Sequence, residues 1–170
     1  MTQTAVPQVL AQHERQRLAS ELHDGAIQEV LAAGHPAHEL DVSVEVTGAR
    51  IPLPATARQT LFQMARECVF NAAIHGRARR AVIRLSYGGG MITLGIADDG
   101  HGNPKTLRKI IRGAVPGTGS GYHLGLADIA ARAEEMGWTL RADRSDLGGV
   151  AIQVLLPGPA DGYRRGENDG

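Results

Sequence analysis

Apolar positions along this chain switch between two periods, and the switches mark its elements. Between residues 6 and 33 only Pro7 and Gly25 interrupt, and Leu10, Leu18, Leu22, Ile27, Val30 and Leu31 recur at mostly helical spacings. That predicts a helix about 40 Å long at ~1.5 Å per residue. The segment GHPAHEL (34–40) stops it, and DVSVEVTG (41–48) alternates with period two, as a strand does. Residues 53–76 return to the helical period, with Pro54 near the start and Gly76 at the end. Residues 80–100 hold two alternating runs across a Gly-Gly-Gly turn, a hairpin. Residues 100–122 show glycines at 100, 102, 113, 117, 119 and 121 and no clear period, which predicts a long loop, a functional lid or disorder. An amphipathic helix over 124–138 and a closing hairpin, TLRADRS with GVAIQVLLP, follow, and Trp138 is expected to begin the first of these strands.

Helices interleaved with antiparallel hairpins predict an α+β fold. It is a two-layer α/β sandwich, a mixed sheet with helices on one face, preceded by a long N-terminal helix. Composition narrows the class. Lys+Arg and Asp+Glu both number 18, so net charge supplies no reason to expect nucleic acid or a membrane surface as partner. Aromatic residues at 4% argue against base-stacking platforms. A single cysteine, Cys68, excludes an internal disulfide framework and fits a reducing compartment. No apolar run reaches the roughly 20 residues that span a bilayer, so the expectation is a soluble cytoplasmic protein.

Three clusters carry chemistry. Glu67, Asn71 and His75 stand at i, i+4 and i+8, on one helix face. A carboxylate and a carboxamide one turn apart supply oxygen ligands of the kind Mg²⁺ takes, and the same residues also read as a solvated polar stripe. In ADDGHG (97–102), Asp98 ends an apolar strand, where it can accept from an exocyclic amine, and Gly100 and Gly102 would let a planar base approach the backbone. Asp-Gly is equally a common turn. In GTGSGYHLGLADIAARAEEMG (117–137) a glycine-rich loop runs into a helix whose first N–H groups can hold phosphate oxygens, or it is a flexible linker. It is neither a Walker A motif nor a dinucleotide fingerprint.

Taken in order, the Glu-x-x-x-Asn helix, the strand ending Asp-x-Gly-x-Gly and the glycine lid with its helix resemble the Bergerat-fold ATPases over residues 40–157. That superfamily includes gyrase-type ATPases, MutL-type repair proteins, anti-sigma kinases and histidine kinases. The resemblance implies that Asn71 coordinates Mg²⁺ and that Glu67 assists the reaction or polarises that site. It implies that Asp98 binds the adenine amino group and that Gly100 and Gly102 border the base. It further implies that Gly119, Gly121, His123, Leu124, Gly125 and Leu126 belong to the lid that closes over ATP, with His75 beside the nucleotide.

The N-terminal stretch ERQRLASELHDGAIQEVL is similar to the phosphoacceptor box of two-component sensor kinases of the nitrate-sensor and DesK-like subfamily. NAAIHGRARRAVIRL and GLADIAARAEEMGW are similar to that subfamily as well. Its His-Asp-x-x-x-Gln motif is matched by His23, Asp24 and Gln28. The resemblance implies that His23 takes the γ-phosphoryl group of ATP and that Asp24 orients the imidazole or accepts its proton. Gln28 would position water for dephosphorylating the partner. Neutral imidazole suits the nucleophile because it offers a free lone pair near neutral pH. The implied partner is a response regulator with a helix-turn-helix output domain, and the implied assembly is a homodimer.

The chain departs from that pattern in one place. Members carry a second helix after the histidine helix, and here only about ten residues, 31–40, lead to the first strand. The remaining helix could pair as a coiled coil, pack on its own ATPase domain or stay partly disordered. The expected organisation is a phosphoacceptor helix over 1–40, a catalytic domain over 41–157 and a polar tail over 158–170. The expected function is an ATP-dependent histidine autokinase. The alternatives are an ATP-binding regulatory module without phosphotransfer and an anti-sigma-type serine kinase.

Overall fold

The structure, a computed structural model, describes residues 5–34, 39–113 and 121–158. The chain runs α1 (Ala5–Ala32), β1 (Asp41–Thr47), α2 (Ala55–Ile74), β2 (Arg80–Gly88), β3 (Met91–Asp98), α3 (Pro104–Ile111), α4 (Gly121–Glu135), β4 (Thr139–Arg144) and β5 (Val150–Pro157). The strands form one sheet in the order β1-β2-β3-β5-β4. β1 lies parallel to β2, and the other neighbours are antiparallel, so the sheet is mixed.

Alternation sorts the two sheet faces. Ile83, Leu85, Ile92, Leu94, Ile96, Ile152, Val154 and Leu156 are buried against the helices. The other face is polar in its middle, where Arg84 sits opposite Glu45 in the β1–β2 register and bonds Glu45 and Asp146. The β2–β3 hairpin turns at Gly89 and Gly90, whose φ angles of 59° and 72° are the left-handed pair that a two-residue turn requires.

α2 is the central helix. Leu61, Met64, Ala65, Cys68, Val69, Ala72 and Ala73 form its buried side. α4 packs through Leu126, Ile129 and Ala133 and stops at Glu135. There Gly137, at φ 69°, lets the Trp138 N–H reach the Ala133 carbonyl at 2.7 Å.

α1 lies against α2 and β1 of its own chain. Its buried stripe is Leu18, Leu22, Ala26 and Val30, four residues apart and therefore on one slowly drifting face. Glu14 bonds Arg50, and Glu21 bonds both Arg17 and Arg58, which ties the helix to the segment before α2 and to α2 itself. Packing on the same chain is thus the arrangement adopted among those open to a lone helix.

Four expectations need correction. Leu10 and Leu31 are not part of the apolar stripe: they are 61% and 49% exposed. Residues 100–122 are not one loop, because α3 occupies 104–111. Asn103 caps it by accepting from the Lys105 N–H at 2.9 Å, Pro104 sits in its first turn, and Leu107 and Ile110 are buried. The helix after the glycine segment starts at Gly121 rather than Leu124 and ends at Glu135 rather than 138. Trp138 precedes β4, which starts at Thr139, and packs half-buried on the core.

Candidate functional site

β3 carries Asp98 to its C-terminal end, at the edge of the helical layer. Oδ1 of Asp98 accepts from the N–H of Gly100 at 2.8 Å and of Val150 at 3.2 Å. No donor among the described residues bonds Oδ2. Burial raises the carboxyl pKa, with the two N–H groups pulling the other way and Asp99 adding to the rise. Backbone crowds this corner. A Cβ on Gly100 would stand 2.6 Å from the Gly76 carbonyl, and one on Gly149 would overlap the Asp98 carboxylate. Both positions therefore require glycine. Gly102 lies two residues beyond, half-buried.

Asp99 faces the other way. Its Oδ1 accepts from the N–H groups of Arg79 at 2.8 Å and Arg80 at 2.9 Å, buckling the start of β2 to the end of β3. The His101 N–H donates to the Gly76 carbonyl at 2.8 Å and completes this frame.

Above Asp98 lies α2. Asn71 is buried at 6% exposure, and its side chain donates to Glu67 one turn earlier. Its Oδ1 has no partner, the one such buried side-chain atom among the described residues. A buried carbonyl oxygen without a donor suits a cation or a bound water, so the donor set here fits Mg²⁺. Glu67 is raised in pKa, first by burial and then by the charges of Glu29 and Asp128, with Asn71 and His75 opposing. Burial pushes the thiol of the neighbouring Cys68 up to about 12, with the charges of Glu67 and Asp98 adding to the rise. His75 caps α2 at the surface, its ring edge-on to Phe70 at 6.1 Å.

α4 closes the site from the third side. Gly125 presses so close to Glu67 that a Cβ would overlap the carboxylate. Leu126, beside it, points into the core at 3% exposure. Gly121, His123 and Leu124 form the first turn of α4, and their side chains lie outside the described residues, as does Gly119.

On α1, His23 is half-exposed, with Nδ1 3.2 Å from Oδ1 of the exposed Asp24. Gln28 is exposed. Glu67, Asn71 and Gly125 are thus brought together and Asp98 is framed by Gly100, Gly149 and Val150 at the end of β3, whereas Glu29, not His23, is the α1 residue at the cavity of Glu67.

Three contributors escape a reading of the sequence. Gly149 and the Val150 N–H come from a hairpin fifty residues beyond Asp98, and only the doubled glycine before β5 hinted at a close approach. Glu29 belongs to α1 yet lines a cavity of about 240 Å³ with Gln63, Arg66, Glu67, Asp128 and Arg132. Nothing in its local sequence marks it.

Comparison with known proteins agrees with this geometry. Residues 56–160 match the family described as histidine kinase-, DNA gyrase B- and HSP90-like ATPase. The sensor-type histidine kinases PrrB of Mycobacterium bovis and of Mycobacterium tuberculosis are each 31% identical over 129 residues, 72% of this chain and 28% of theirs. The chain therefore spans under a third of the length of these curated relatives. Among solved structures, the ATP-binding domain of PrrB from Mycobacterium tuberculosis superposes with a TM-score of 0.61 at 27% identity, over 84% of this chain and 95% of that one. The mycobacterial sensor histidine kinase MprB gives 0.57 at 24% identity, covering 78% and 92%, and shares the fold. The chain belongs to the histidine kinase-, DNA gyrase B- and HSP90-like ATPase family and carries a histidine-kinase ATP-binding catalytic domain similar to that of PrrB.

Proposed function

We propose that the protein is an ATP-dependent histidine autokinase of a two-component system, of the nitrate-sensor and DesK-like kind, organised as an acceptor helix over 1–40, a catalytic domain over 41–157 and a polar tail beyond. The observation that carries the reading is the unpartnered Oδ1 of buried Asn71, whose side chain bonds Glu67, on the central helix of a histidine-kinase ATPase domain. Asp98 Oδ2 accepts from the adenine amine while Gly100 and Gly102 border the base. Asn71 Oδ1 would hold Mg²⁺, which neutralises phosphate charge when bound. His75 lies beside the nucleotide, and the lid of Gly119, Gly121, His123, Leu124, Gly125 and Leu126 closes over it.

His23 is the acceptor. With Nδ1–H turned to Asp24, the Nε2 lone pair is the free nucleophile. It attacks the γ-phosphorus, the bond to the β,γ-bridging oxygen breaks, ADP leaves with the electron pair, and the ring proton passes by way of Asp24 to solvent. Glu67 assists from the cleft. The phosphoryl group then moves to an aspartate of a response regulator bearing a helix-turn-helix output domain, and Gln28 positions water for the reverse dephosphorylation. The working form is a cytoplasmic homodimer. No helix among the described residues is long and apolar enough to cross a membrane.

Incubation with γ-labelled ATP and Mg²⁺ tests the reading. Acid-labile, base-stable label that disappears in His23→Gln is the expected result. Nucleotide binding with no label in the intact chain would leave a regulatory module instead, and acid-stable label would point to a serine kinase.

A further inference from the structure

α1 is docked in a register that presents the wrong residue to the cleft. Glu29, not His23, borders the cavity that Glu67 lines. On the same flank, Gly25 packs against the aliphatic part of Arg66 on α2, 3.2 Å from its Cδ to an added Cβ. At about 100° per residue, His23 is turned roughly 160° from Gly25 and 120° from Glu29, and it lies about 9 Å from Glu29 along the axis. The acceptor imidazole therefore faces away from α2, which carries Glu67 and Asn71.

The charges at this junction are unbalanced as well. Glu29 from α1, Glu67 from α2 and Asp128 from α4 meet around one cavity. The cations there are Arg66 and Arg132, and Arg132 bonds the neutral Gln63 at 2.6 Å. No ion pair joins any of the three carboxylates to either arginine among the described residues. A nucleotide triphosphate, even with Mg²⁺, adds negative charge to a region that already carries an excess of it.

We propose that nucleotide and docked α1 oppose each other across this junction, with Glu29 the residue through which they compete. In the docked arrangement α1 is held down by its Leu18–Val30 stripe and its ion pairs, with His23 turned away from α2. Nucleotide arriving beside Glu67 repels Glu29, loosens the C-terminal half of α1 and frees the acceptor helix when there is something to accept. By linkage, the factor by which bound nucleotide weakens the docking is the factor by which docking weakens nucleotide binding. The inference rests on the nucleotide reading of the cleft and adds a regulatory coupling to it.

The test uses the whole chain and Mg²⁺ with a non-hydrolysable ATP analogue. Calorimetry on wild type, Glu29→Gln and Glu29→Lys should show affinity rising in that order, by about threefold per charge step at low salt. The gain should fade at ~0.5 M salt because the Debye length shrinks to a few ångströms. Hydrogen exchange should show residues 22–32 exchanging faster when the analogue is bound, and that response should be weaker in Glu29→Gln. Affinity that is unchanged or falls in the variants, or slower α1 exchange with analogue bound, overturns the coupling while leaving the nucleotide site standing. Absence of analogue binding in the wild type overturns the site and the coupling together.

Discussion

Asp98 is a half-buried carboxylate whose two bonds to backbone N–H groups do not outweigh the cost of its partial removal from water, so its pKa is raised. The consequence for pH follows from the sign. A carboxyl with a raised folded-state pKa is favoured in its neutral form by folding. That contribution is fully present below the unfolded value, about 3.9, and is lost as pH rises through the folded value. Mild acid therefore does not unfold the protein through this group. It does remove the ionised acceptor from the proposed adenine site. Affinity for an ATP analogue is expected to fall on the acid side while the fold persists, with onset at a pH above the ordinary aspartate range and a limiting slope of about tenfold per pH unit. Asp98→Asn should bind about 1.5–3 kcal/mol more weakly at neutral pH, the worth of a hydrogen bond to a charged group, and should lose the acid limb. Calorimetry across pH, with circular dichroism as the check on folding, decides it. Equal acid sensitivity in wild type and variant would assign the titration to another group.

Elements were legible where one local signal sufficed. The β2–β3 hairpin announces itself by alternation on both sides of glycines that alone accept the turn's φ angles. α2 is bounded by Pro54 and Gly76 and patterned at the helical period. α3 carried an equally good signal, Asn103-Pro104 followed by Leu107 and Ile110, and was hidden because the glycines around it dominate any wide window. Its stability is local too: Asn103 supplies the first turn with a partner, and Arg108 and Lys109 complement the last. Arg108 also anchors the helix to β4 through the Ala142 carbonyl, 2.7 Å away, and the Asp143 carboxylate. Asn103→Ala is expected to cost about 1 kcal/mol in urea unfolding. Because α3 follows directly on Asp98–Gly102, it should also weaken nucleotide binding slightly. A neutral substitution would mean that Pro104 and the β4 anchors set the helix start without the cap.

At the scale of the molecule, pairing between distant segments is what the sequence withheld. Nothing local says that β1 lies parallel to β2, that Gly149 meets Asp98, or that α1 folds back on α2 and β1. These depend on which faces remain to be covered once the sheet has formed. The α1 stripe shows the principle. Leu10 and Leu31 fit a helical period as well as Leu22 does, but the buried stripe runs from Leu18 to Val30, so Leu10 lies before it and Leu31 stands about 100° round the helix from Val30. Since Leu22, Ala26 and Val30 belong to the same buried cluster as the sheet, α1 should melt with the domain rather than before it. Leu22, 2% exposed, gives the test. Truncation to alanine is expected to cost about 2–5 kcal/mol, the usual range for a buried leucine. The loss should appear equally in helical circular dichroism and in the fluorescence of Trp138, which sits at the junction of α4 with β4, the sheet edge opposite β1. Coincident shifts of both midpoints mean that α1 is an integral part of the cooperative unit. Any nucleotide-driven loosening of the helix is then a local opening drawn from a stable ground state. A lower helical midpoint with an unmoved Trp138 transition would instead make α1 a separately folding appendage.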